Sequence, residues 1–332
     1  MVIHPWAWGI LALVAIGLVV IDFLGHARNP HPPTAVEAAR WTLFYVGLAG
    51  LFGVGIWLTN GGLYAQEFYA GWAMEWSLSV DNLFVFILIL KAFRVPRENQ
   101  QKALLLGIVI ALLLRLVFIL LGAALVSRFS WVFLIFGLWL LWTAFSQVRE
   151  TARGSDEDEE YHESGFIRAV RRVLPITDGF IGNRMLFRHG GRTYITPMLV
   201  VVLALGSADL MFAFDSIPAI FGITQQAFLV FACNVSALMG LRQLFFLVDA
   251  LLSKLVYLGY GLGVILSFIG VKLILEALHA NTLPFINGGS GVEWTPEISV
   301  SVSLGVIVVT LAVTVVASLI RSAMDEGDAH GN

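Results

Sequence analysis

Nine apolar runs, each close to the length of a bilayer-spanning helix, follow one another along this chain: 6–24, 41–59, 67–91, 103–126, 131–148, 196–221, 227–249, 255–279 and 298–320. A helix needs about 20 apolar residues to cross a hydrocarbon core. Inside lipid, every backbone donor and acceptor must be satisfied within the protein, which leaves helices or closed barrels. The runs are continuous rather than alternating, so the expected fold is all-α: a polytopic transmembrane helix bundle of about nine spans. Composition agrees, because 13% charged residues cannot cover a globular surface and a soluble domain carries about 25%. The first run, "WAWGILALVAIGLVVIDFL", lacks a basic flank and reads as a retained span. The single Cys233 excludes an internal disulfide and reads as core filler. No basic block points to nucleic acid.

Orientation follows from the lysines and arginines. With alternating spans, sixteen of the twenty fall in loops or the tail opposite the N-terminus, only Arg128 falls on the N-terminal side, and Arg115, Arg242 and Lys272 lie inside spans. The N-terminus is expected outside, with the long charged loop and the C-terminus in the cytoplasm. The expected organisation is two peripheral helices (1–62), a first three-helix unit (63–148), a cytoplasmic charged loop (149–195), a second three-helix unit (196–280), and an outer loop with a last helix and tail (281–332).

The second unit repeats the first. "EWSLSVDNLFVF" from Glu75 and "DLMFAFDSIPAI" from Asp209 each hold an acid, five residues, an aspartate and a small polar residue. Glu75 matches Asp209, Asp81 matches Asp215, and Asn82 matches Ser216. Arg115 and Phe118 in the next helix match Arg242 and Phe245, and more weakly Gly137 matches Gly270. A unit of three spans enters the membrane from the opposite side when repeated. The result is an inverted 3+3 repeat, an architecture of secondary transporters whose sites lie where the repeats meet.

A carboxylate at the bilayer centre costs about 2.5–3.5 kcal/mol on insertion scales. Glu75, Asp81, Asp209 and Asp215 must therefore face an interior and share positive charge. With Arg115 and Arg242 as possible charge-coupling residues, four ionised acids leave a balance of −2, which one divalent cation neutralises. Residues six apart on a regular helix point about 240° apart, so one ion cannot be reached by both acids of a copy. Pro218 is expected to break its helix beside Asp215 and relieve this. The candidate metal-binding set is Glu75, Asp81, Asn82, Asp209, Asp215 and Ser216. Oxygen-only ligands suit Mn²⁺, Ca²⁺ or Mg²⁺, and carboxylates also accept protons. No phosphate-binding loop is present for an ATP-driven pump.

These two motifs closely resemble those of the TerC/Alx family of integral membrane proteins. The similarity extends through "FGVGIW", "LFRHGGRTYITP" and "GLGVILSFIGVKLIL". The resemblance implies an inverted-repeat exporter with Mn²⁺ as the transported substrate, and carries the motif roles onto the six residues named above. Other members are linked to alkaline pH, tellurite resistance or membrane-protein insertion. Family members often carry a glutamate three residues before the first aspartate of the second motif, where this chain has Gly206.

The expected function is thus a secondary transporter, not an enzyme, which exports a divalent metal ion through a midplane carboxylate site, with protons as possible exchange partners. It would sit in the lipid bilayer of a bacterial inner membrane. The alternative is a non-transporting scaffold of a stress-resistance or insertion complex, in which the acids only staple helices together. An intramembrane aspartyl enzyme is disfavoured because the Gly-x-Gly-Asp motif is missing. Plainer readings attach to Lys272, expected to pair with Glu276 or snorkel, to the acidic run 156–160 as a solvated linker, and to Asp22 and His26 as interfacial residues.

Overall fold

The computed structural model describes residues 3–27, 35–129, 131–153, 184–189, 192–248, 256–280 and 298–330, with short stretches within 176–182 and 286–296. The acidic run 156–160 and the side chains of Asp22, His26, Asp81 and Arg242 lie outside the described residues.

Nine helices are present among the described residues: α1 (Pro5–Ala27), α2 (Ala35–Asn60), α3 (Gly62–Ala92), α4 (Arg97–Arg128), α5 (Val132–Arg153), α6 (Pro197–Phe221), α7 (Ala227–Val248), α8 (Leu258–His279) and α9 (Val300–His330). Each covers one expected run, and most overshoot it at one end because a helix continues past the apolar stretch where water or headgroups take over. Six of them, α2, α4, α5, α6, α8 and α9, are long and apolar enough to cross a membrane. The described parts of α1 and α7 supply shorter apolar stretches, Pro5–Ile21 and Ala227–Leu241. α3 has 31 residues, and its apolar run is interrupted by Glu67, Glu75 and Asp81.

One departure from an all-helical chain lies just before α6. Strands β1 (Leu186–His189) and β2 (Arg192–Ile195) form an antiparallel hairpin with Leu186 opposite Ile195. Thr196 then ties this hairpin to the membrane helix: its backbone N–H donates to the Met185 carbonyl at 3.0 Å, and its hydroxyl donates to the Arg184 carbonyl at 2.5 Å. Pro197 follows at the first position of α6, where its missing N–H costs nothing.

Helices from the two expected units pair mainly across units: α5 with α8, α3 with α7 and α4 with α6. The α5–α8 crossing is the closest. A Cβ on Gly137 would stand 2.7 Å from the Gly270 carbonyl oxygen, and one on Gly270 would stand 3.0 Å from that of Gly137. These two glycines let the backbones touch, as small residues do at membrane helix interfaces. α2 rests on α7 and α3, and α9 on α3 and α8. Only 17% of the apolar window of α9 and 22% of that of α2 is buried, against 56% for α6 and α8.

Burial is reversed relative to a water-soluble protein. Leu58, Phe145 and Trp142 are 76%, 67% and 61% exposed, whereas Glu75, Asp209 and Arg115 are 0%, 1% and 1% exposed. An apolar surface of this extent is stable only against lipid.

A buried arginine-carboxylate cluster

Arg115 of α4 reaches from the middle of its helix into the space between α3, α6 and α7. Its Nε donates to Asp209 Oδ2 at 2.9 Å and its Nη2 to Asp209 Oδ1 at 3.1 Å. This is the planar two-point fork that guanidinium forms with carboxylate. Nη1 donates to Glu75 Oε2 at 2.8 Å, to Asn234 Oδ1 at 2.5 Å and to Ser216 Oγ at 3.3 Å. Asn234 turns its amide back, with Nδ2 donating to Glu75 Oε1 at 3.3 Å. Four helices thus converge on one cation.

The local sequence explains why. Glu75 and Asp209 lie near the centres of α3 and α6, so neither carboxylate can reach an interface with water by bending along its helix. Gly107 and Gly71 allow the close approach on either side. A Cβ on Gly107 would meet Leu205 at 3.0 Å, and one on Gly71 would meet Cys233 Sγ at 2.9 Å. With both carboxylates ionised the cluster carries −1. An ion pair of this kind is stable only when its remaining lone pairs and protons are also bonded, and Asn234 and Ser216 supply those bonds.

The six candidate metal residues do not gather at one point. Glu75, Asp209 and Ser216 meet around Arg115. Asp215 faces elsewhere, accepting hydrogen bonds at Oδ1 from Trp139 Nε1 at 2.7 Å and Thr143 Oγ1 at 3.0 Å, both on α5. Asn82 is buried, with no partner for its Nδ2 among the described residues. The break expected at Pro218 does not form. α6 is continuous through Pro218 to Phe221, because the proline sits in the last turn, where it deletes a single backbone bond. Hence Asp209 and Asp215 keep the angular separation of a regular helix. Among the described residues no three His, Cys, Asp or Glu side chains cluster as a metal site.

Lys272 also departs from expectation. Its Nζ donates to Ser303 Oγ on α9 at 3.1 Å, and no ion pair joins it to Glu276, because Lys272 turns toward α9 rather than along its own helix. Asn234 was missed by the sequence reading. It is an amide in an apolar run, "FACNVSALMG", but it lies outside both repeated motifs, and the motif match that selected Asn82 passes it by. Thr143 and Trp139 carried no comparable signal.

A bundle of apolar-surfaced helices around a buried charge cluster defines a polytopic integral membrane protein. The model of the "Integral membrane protein TerC family" matches residues 60–326, and the chain belongs to that family. It is 46% identical over 311 residues to the membrane protein Rv2723 of Mycobacterium tuberculosis (strain H37Rv), covering 94% of this chain and 78% of the relative. It is 37% identical over 280 residues to the chloroplastic thylakoid membrane protein TERC of Arabidopsis thaliana, covering 84% and 68%. It is 33% identical over 319 residues to the membrane protein Alx of Escherichia coli (strain K12), covering 93% of each. No solved structure matches the chain.

Proposed function

We propose that this protein is a secondary transporter that exports a divalent metal ion, Mn²⁺ first among Mn²⁺, Ca²⁺ and Mg²⁺, from the cytoplasm in exchange for protons. The observation that carries the reading is the meeting of Glu75 and Asp209, one from each expected repeat, out of reach of solvent. Ionisable groups inside a membrane mark ion pathways. Without Arg115 the pair carries −2, the charge one divalent ion neutralises. Arg115 and the metal ion are therefore alternative occupants, and transport requires the guanidinium to swing aside as the ion or a pair of protons arrives.

The inverted repeat and nine spans belong to the same proposal. Exchange of α3 with α6, α4 with α7 and α5 with α8 converts the α3–α7 pairing into α6–α4, and both are among the most extensive in the bundle. The α5–α8 seam supports this with a revised correspondence. Gly137 packs on Gly270 and Ile274, and Gly263 packs on Ala144 and Val148. Gly137 then corresponds to Gly263 rather than to Gly270, which it touches. With the N-terminus outside and the C-terminus in the cytoplasm of a bacterial inner membrane, rocking one unit against the other would open the cluster to each side in turn.

One observation favours a scaffold instead: both carboxylates of the Arg115 cluster are already hydrogen-bonded, as a structural staple would be. Mn²⁺ flux into proteoliposomes separates the readings. Transport predicts flux that depends on an imposed pH gradient and is lost in Asp209→Asn and Glu75→Gln. Folded protein that moves no divalent metal ion would leave the staple.

A further inference from the structure

Glu67 lies about 12 Å along α3 from Glu75, at eight residues of 1.5 Å rise, and about 80° around the helix from it. It borders a cavity of about 360 Å³ where α3 and α9 begin and α6 and α8 end. Thr224 Oγ1 donates to Glu67 Oε2 at 2.6 Å, and Lys272 and Glu276 of α8 also border the space. No ion pair joins these three charges. Lys272, 8% exposed, spends its hydrogen bond on the neutral Ser303 hydroxyl. Among the described residues, two carboxylates therefore border a polar cavity without a salt-bridge partner, and the one ammonium among its lining side chains, Lys272, is already drawn aside. Among the described residues no histidine or cysteine lines the cavity, so the ligands on offer are carboxylate, hydroxyl, amide and carbonyl oxygens, the set that suits a hard cation. Water occupies about 30 Å³ per molecule, so the space holds a cation with its inner hydration shell.

The cavity and the Arg115 cluster are separated by a thin apolar collar. Gly71, between Glu67 and Glu75 on α3, has Cys233 Sγ and Ile220 within 3.3 Å of where a Cβ would stand. Phe221, buried in the last turn of α6, lines the cavity.

We propose that this cavity is a second cation station, which holds a hydrated divalent metal ion on Glu67, Thr224 and Glu276 while Lys272 is turned toward Ser303. Its place on the transport route rests on the function proposed above; its binding of metal does not. Lys272 is the tethered charge that keeps the station weak, so that an ion arriving from the cluster is released rather than trapped.

The test is Mn²⁺ binding to the purified full-length chain in detergent, followed by loss of the free-ion electron paramagnetic resonance signal. Glu67→Gln is expected to weaken binding about tenfold and Lys272→Gln to tighten it about tenfold, each from a unit charge removed near a divalent ion. Thr224→Val, which removes the hydroxyl, should weaken it as well, and Glu98→Gln, at an exposed acid in the first turn of α4, should leave it unchanged. A titration that ignores Glu67→Gln, or one that follows Asp209→Asn instead, overturns the station. Binding that responds to Glu67 in a chain showing no Mn²⁺ flux would retain the station and sink the transport reading.

Discussion

Arg115 holds two carboxylates in a space with no water to replace it. Removing one partner of a buried pair costs about 3–5 kcal/mol, because the other charge is left unpaired. Arg115→Gln is therefore expected to lower the melting temperature in detergent sharply, and adding Glu75→Gln and Asp209→Asn should restore most of the loss. A single variant as stable as the parent would mean the acids are already protonated. Arg115→Lys should not rescue, since an ammonium cannot make the two-point fork to Asp209. Much of this cluster was legible from sequence: an acid in each copy and an arginine at matched positions, all inside apolar runs, had to find one another. Its centre was not. Spacing could not say that the cation in contact with Glu75 and Asp209 is a side chain, nor that Asp215 turns to Trp139 and Thr143. Those contacts depend on the rotation of α6 against α5, which no pattern within either helix encodes.

Helices were readable because lipid leaves the backbone no alternative, and each expected run became one. The misjudged element was the end of α6. Proline chemistry was weighed without its distance from the helix terminus, and three residues from Phe221 a proline ends a helix more easily than it breaks one. The hairpin before α6 was hidden in a segment read for its charges and its family resemblance, although its two adjacent glycines are a turn signal. The α5–α8 seam makes a sharper claim. Gly137→Val should destabilise the fold by about 1–3 kcal/mol, the usual cost of overpacking, because the backbone of α8 stands in the way. Gly55→Ala, on the open face of α2 with nothing within 4 Å, should be neutral or stabilising by up to about 1 kcal/mol through helix propensity. Thermal denaturation of the two variants in one detergent checks both, and equal effects would argue against the close crossing.

Across the whole molecule, the charge asymmetry predicts sidedness. A fluorescent protein fused after residue 332, which folds only in the cytoplasm when exported unfolded, should be bright, and an alkaline phosphatase fusion at the same point inactive. The reverse pattern would invert the proposed transport direction along with the topology. Sequence reached the membrane setting, because that is written in composition and in the length of the apolar runs. It did not reach the interleaving of the two expected units, in which α3 pairs mainly with α7, α4 with α6 and α5 with α8. That arrangement binds the halves more tightly than two separate bundles, so motion between them must be a slide along seams such as α5–α8 rather than a parting of domains.

The collar at Gly71 has a practical consequence. The only sulfhydryl in the chain, Cys233, lies in it, fully buried against Ile220 and Gly71 with its Sγ 3.3 Å from the Phe68 carbonyl oxygen. Alkylation by a small maleimide therefore works as a clock: in the closed form the reagent waits for a slide along the seam between α3 and α7 to uncover the thiol, and the modification rate counts how often it does. Saturating Mn²⁺ should change that rate in the parent chain and leave it unchanged in Asp209→Asn. The protein thus carries, at the one position where it matters, its own single-site reporter of opening.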